Sequence, residues 1–133
     1  MLRRALIFAV LLLGGATTAQ ATRPLPAPTL IAVYAYADWC PNCKLLSPRL
    51  SELRAEYAQK NVLFLTLDLT DSARIHQSIL LAQATGLGDF LKAQGSAVGY
   101  VALLDATSKQ EVARFTSADD VATLKSGFAA AYQ

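Results

Sequence analysis

The chain has 133 residues, 53% of them hydrophobic and 17% charged, which is the size of one domain and too apolar for a disordered polypeptide. Its 12 Lys plus Arg stand against 10 Asp plus Glu, a net charge of +2. The basic residues are scattered rather than clustered, so no nucleic-acid partner is expected.

Arg3 and Arg4 precede an apolar run over residues 5–13, which Gly14 and Gly15 break, and Ala19-Gln20-Ala21 offers a small-x-small site. This pattern predicts a cleaved secretory signal over 1–21 and an exported chain, periplasmic or secreted. The run is about half of the ~20 residues a membrane-spanning helix needs, which disfavours an anchor. Removing Arg3 and Arg4 leaves the mature chain near neutral, so the positive charge is a targeting feature. Residues 22–29 carry Pro24, Pro26 and Pro28 and read as an extended linker. The domain proper is expected over 30–133.

Residues 30–37 form an unbroken apolar run suited to a buried central strand. Pro41 fits the first turn of a helix, where a missing N–H costs nothing. That helix is predicted over 41–59, with Leu45, Leu46, Leu50, Leu53 and Tyr57 as its apolar stripe and Pro48 as a kink. A second strand is expected over 62–69. Thr70, Asp71 and Ser72 supply cap chemistry for a helix over 73–85, with Ile75, Ile79 and Ala82 on its inner side. A short helix over 89–94 should stop at Gly95. Strands over 98–104 and 110–115 read as a hairpin, and a last helix follows 117–120 with Val121, Leu124, Phe128 and Ala131 inward. The β-α-β-α-β-β-α order requires a parallel pair with a right-handed crossover, then an antiparallel strand. The expected fold is α/β, a mixed four-stranded sheet with helices on both faces.

The two cysteines of the chain, Cys40 and Cys43, are spaced C-x-x-C. A bridge over so short a loop removes little entropy from the unfolded chain, so a purely structural staple is poorly served. Zinc would need about four ligands, and His76 is the lone histidine. Covalent haem attachment needs a histidine after the second cysteine, where Lys44 stands. A redox pair fits best. At the start of a helix, backbone N–H groups and the helix dipole favour the thiolate of Cys40, which is the nucleophile. Cys43, one turn on, can attack the mixed disulfide formed at Cys40 and release the reduced partner. The first sulfur is expected to be accessible and the second shielded. Pro41 and Asn42 would tune the potential, and Trp39 would either join a docking surface or pack over the loop. Asp38, Lys44 and His76 read as solvated residues, and Tyr34 and Tyr36 as core.

The string Tyr36-Ala37-Asp38-Trp39-Cys40-Pro41-Asn42-Cys43-Lys44 resembles the active-site segment of the thioredoxin superfamily, as does Pro48 five residues after the second cysteine. The resemblance covers most of the chain after residue 30 by element order. It implies a thioredoxin-like fold, Cys40 as attacking and Cys43 as resolving cysteine, and no cofactor beyond that redox-active disulfide. The implied partners are protein disulfides or dithiols, with a monomer as the acting unit. The segment is also similar to envelope electron-relay domains fed by a membrane reductase. Three features depart from the family pattern. Gly99 stands where a cis-proline is usual, and because a non-proline cis bond costs ~2.5–4 kcal/mol, a trans bond and an altered substrate groove are expected. Tyr34 and Thr66 replace a buried acid and its companion lysine. Residues 71–90 exceed the minimal fold. The sequence thus points to a thiol–disulfide oxidoreductase leaning toward reduction. Pro41 directly after Cys40 keeps a dithiol oxidase as an alternative, and Gly99 a binding module with little turnover.

Overall fold

A computed structural model describes residues 26–132; the predicted signal and residues 22–25 of the linker lie outside the described residues. The elements are β1 (Leu30–Tyr36), α1 (Pro41–Glu56), β2 (Val62–Asp68), α2 (Ser72–Ala84), α3 (Gly88–Gln94), β3 (Tyr100–Asp105), β4 (Glu111–Thr116) and α4 (Val121–Ala131). The sheet has four strands in the order β2-β1-β3-β4. β1 pairs parallel with β2 and antiparallel with β3, and β3 pairs antiparallel with β4. This is the mixed sheet expected from the element order. Among the described residues no helix is long and apolar enough to cross a membrane.

The continuous apolar run of β1 has a direct cause: the strand is central and covered on both faces. Leu30, Ala32 and Tyr34 join α1 and α4 in one core, with Leu46, Leu53 and Phe128 fully buried. Ile31, Val33 and Ala35 face the other side, against Ala82, Leu87, Phe90 and Leu91. Each fully buried large side chain contributes about 1.5–3 kcal/mol relative to exposure. Asp71 and Asp120 cap α2 and α4 by accepting from the N–H groups of Arg74 and Thr123 at 2.9 and 2.8 Å. The bond from Thr123 holds the Asp120 carboxyl below its ordinary range.

Four expectations need correction. The inner stripe of α1 is Cys43, Leu46, Leu50, Leu53 and Tyr57, at alternating three- and four-residue steps; Leu45 lies off that stripe and is 56% exposed. On α2 the small residues Ser78 and Ala82 face the sheet and let the helix approach it, so Ile75 and Ile79 turn outward to line a groove beside α3. β2, read as another apolar strand, is an edge and only alternately buried. β3 begins at Tyr100 rather than at 98, because Gly99 has φ +86° and leaves the extended region.

α4 closes against β4 at one tight point. A Cβ on Gly127 would run into the Phe115 ring, which is itself stacked on Phe128. Gly127→Ala adds helix propensity worth up to about 1 kcal/mol, yet overpacking of this kind costs about 1–3 kcal/mol. The variant is therefore expected to unfold at lower urea concentration than the parent; a raised midpoint would contradict this packing.

Candidate active site

The central strand β1 ends at Tyr36, and α1 starts five residues later. Cys40 is the N-cap of α1, in extended conformation, and its Sγ accepts the N–H of Cys43 at 3.1 Å. Pro41 occupies the first helical position, as its spacing predicts. Cys40 and Cys43 form a disulfide with their Cα atoms 5.3 Å apart, within the usual range for such a bridge. The donor groups at a helix start are thus aimed at Cys40, and on reduction they would stabilise its thiolate.

The expected contrast in exposure is weaker than the sequence implies. Cys43 is fully buried, and Cys40 is only 4% exposed. Gly99 packs closely beside the Cys40 Sγ and Asn42. A Cβ on Gly99 would lie 3.2 Å from both the Cys40 Sγ and the Asn42 Cβ. Gly99 donates its N–H to the Ala35 carbonyl at 2.8 Å, which seats the approach to β3 against the sulfur. No peptide bond among the described residues is cis, so the bond before Gly99 is trans.

Trp39 is 60% exposed and donates its indole N–H to the Thr70 carbonyl at 3.2 Å. The N–H of Asp38 reaches the Thr70 hydroxyl at 2.9 Å, and that hydroxyl donates to Asp68. Asp38 is exposed but not idle. Its carboxylate accepts from the Tyr36 hydroxyl at 2.8 Å and meets Arg74, which also pairs with Asp68 and Asp71. That hydrogen bond raises the Tyr36 pKa, since ionisation would lose it beside a carboxylate. These partly exposed pairs contribute direction more than stability. Thr70, read from sequence only as cap chemistry, fixes the loop that carries Trp39. Lys44 and His76 are exposed.

Tyr34 stands across from Thr66 in the β1–β2 register. Its hydroxyl lies 2.8 Å from the Cys43 carbonyl and 2.9 Å from the Ser47 hydroxyl, which is itself 2.8 Å from the same carbonyl. Burial pushes the Tyr34 pKa up, partly offset by the bond to Ser47. A neutral phenol cannot accept the Cys43 proton near neutral pH as a carboxylate could; its role is to hold the first turns of α1. A cavity of about 230 Å³ opens beside it, lined by Tyr34, Ser47, Leu50, Ser51, Arg54 and Thr66.

Gly99 is the position where one added methyl group should be felt most. Gly99→Ala would place a side chain at a positive φ and against the reacting sulfur. A loss of about 1–2 kcal/mol in urea unfolding is expected from the backbone alone. Unchanged or increased stability would contradict the contact.

A family model described as Thioredoxin matches residues 23–83, the segment that contains β1, the cysteine pair, α1, β2 and nearly all of α2. Thioredoxin-like protein 1 of Schizosaccharomyces pombe is 34% identical over 64 residues, 48% of this chain and 19% of that protein. The chain therefore aligns with about a fifth of that curated relative. Oxidised thioredoxin O2 of Arabidopsis thaliana superposes with a TM-score of 0.52 at 22% identity, over 79% of this chain and 76% of that one. A thioredoxin of Malassezia sympodialis does so with a TM-score of 0.51 at 17% identity, over 80% of each chain. At such identities the structures speak for the fold, while the matched segment carries the Trp39-Cys40-Pro41-Asn42-Cys43 site. With the sheet order, the capped cysteine and the matched segment in agreement, the chain has a thioredoxin-like fold and its residues 23–83 match the Thioredoxin family.

Proposed function

We propose that the chain is a thiol–disulfide oxidoreductase that exchanges its Cys40–Cys43 pair with protein disulfides, working as a reductant or electron relay outside the cytoplasm. The observation that carries this reading is the Cys40 Sγ at the helix start, bonded to Cys43 and accepting its N–H at 3.1 Å. The export component rests on the N-terminal pattern of residues 1–21.

In the reducing direction the Cys40 thiolate attacks one sulfur of the partner disulfide. A mixed disulfide forms, and the partner's other sulfur leaves as a thiolate and takes up a proton. Cys43 then loses its proton and attacks the Cys40 Sγ. The bond to the partner breaks, the second partner thiolate is protonated, and the Cys40–Cys43 disulfide remains. Two electrons pass to the partner, and the pair itself stores them. Return to the dithiol needs a dithiol donor, for which a membrane reductase is the class we favour. Protonation of the leaving groups and deprotonation of Cys43 go through water, since Tyr34 stays neutral.

The low exposure of Cys40 favours a second reading, a binding module with little turnover. Reduction of insulin disulfides separates the two. The oxidoreductase reading expects turnover by the parent chain, loss to background in Cys40→Ser, and a trapped mixed disulfide with insulin in Cys43→Ser. Turnover surviving in Cys40→Ser, or none in the parent chain, would overturn it. The direction follows from the reduction potential, near about −270 mV for a thioredoxin-like reductant and near about −120 mV for a dithiol oxidase.

A further inference from the structure

We propose that the hydrogen bond between Asn42 and Ser117 is a latch over Cys40, and that its release sets how readily a reacting partner gains the sulfur. Ser117 lies in the turn between β4 and α4, far from Cys40 in sequence. Its hydroxyl donates to the Asn42 side-chain carbonyl at 3.0 Å. Asn42 thereby spans from the C-x-x-C to a second loop, with its Cβ packed against the place where a Gly99 side chain would be. Gly99, Asn42 and the Cys40 Sγ meet at one point: a Cβ on Gly99 would lie 3.2 Å from both the Sγ and the Asn42 Cβ, and 3.9 Å from the Asn42 Nδ2. Beside this junction the reacting residue is 4% exposed, while the neighbouring Trp39 is 60% exposed.

The two sides of the latch differ in freedom. Arg49 of α1 donates to the Ser117 carbonyl at 2.9 Å and also to the Asp119 carbonyl. The Thr116 N–H reaches the Asp119 carboxylate at 2.8 Å. The Ser117 turn is thus tied to the helix that bears the cysteines and cannot swing away alone. Asn42 is exposed, and its short side chain can rotate. Opening therefore means losing one solvent-accessible hydrogen bond and turning the Asn42 amide, whose Nδ2 lies 3.9 Å from the Gly99 Cβ position, away from this junction. Exchange then proceeds from the open fraction only, so the observed rate scales with that fraction.

This inference deepens the oxidoreductase reading and rests on it for its biological sense, but the latch itself is measurable with small thiols. Dithiothreitol reduction of the Cys40–Cys43 bond can be followed by the fluorescence of Trp39, the one tryptophan of the chain. In Ser117→Ala the forward rate and the reverse rate with oxidised dithiothreitol are both expected to rise about 3- to 10-fold, the factor one such hydrogen bond supplies. The equilibrium constant between the two redox couples should stay within about two-fold, because a gate acts on both directions alike. Ser117→Thr, which keeps the hydroxyl, should exchange at the parent rate. An unchanged rate in Ser117→Ala, an acceleration matched by an equal shift of the equilibrium constant, or the same acceleration in Ser117→Thr would overturn the latch. Insulin turnover by the parent chain is measured alongside. If it is absent while Ser117→Ala still accelerates both directions, the enzymatic reading falls and the latch stands.

Discussion

The N–H of Cys43 points at the Cys40 Sγ from 3.1 Å, and this contact gives one sulfur two tasks. It caps α1, satisfying a donor that a helix start would otherwise leave unpaired, and it is the atom at which exchange would occur. Much of the surrounding structure serves that coincidence. β1 is buried on both faces and ends where the loop must turn. Pro41 sets the first helical position without needing a partner for an N–H. Tyr34 and Ser47 bind the carbonyl of Cys43 from below, so the donor aimed at Cys40 sits on a helical turn held from two sides.

The site achieves this without a buried carboxylate. Where the family pattern places an acid, Tyr34 offers a hydroxyl whose ionisation burial opposes. A buried acid shifts the chemistry of a neighbouring thiol through its charge; a neutral phenol can act only through geometry. The charged groups near the site lie instead at its exposed rim, where Asp38, Asp68, Asp71 and Arg74 surround Thr70. They orient the Asp38–Trp39 loop while water screens most of their field. The helix start is left as the main electrostatic influence on Cys40.

Local chemistry was readable in the sequence. The spacing of Cys40 and Cys43, Pro41 at the helix start, the caps at Asp71 and Asp120, and the double-sided burial of β1 each follow from a few adjacent residues. What escaped was set by distant ones. Leu45 and Leu46 are equally apolar, and only the placement of α1 on the sheet decides which is buried. The choice of Ser78 and Ala82 over Ile75 and Ile79 as the inner face of α2 depends on how closely that helix meets the strands. Thr70 and Ser117 reach the active-site loop from 31 and 75 residues away, and no local pattern marks them. The occlusion of Cys40 has the same origin, since Gly99 packs beside it from the far end of the chain's crossover.

The central claim is that the start of α1 stabilises a negative charge on Cys40. It is tested most directly by the thiol pKa of Cys40 in the reduced protein, read from the pH dependence of thiolate absorbance with Cys43→Ser to isolate the signal. A value well below the ~8.5 of a free cysteine, near 7, is expected. A value at or above ~8.5 would contradict the account, because burial would then outweigh the helix and leave the sulfur protonated at neutral pH.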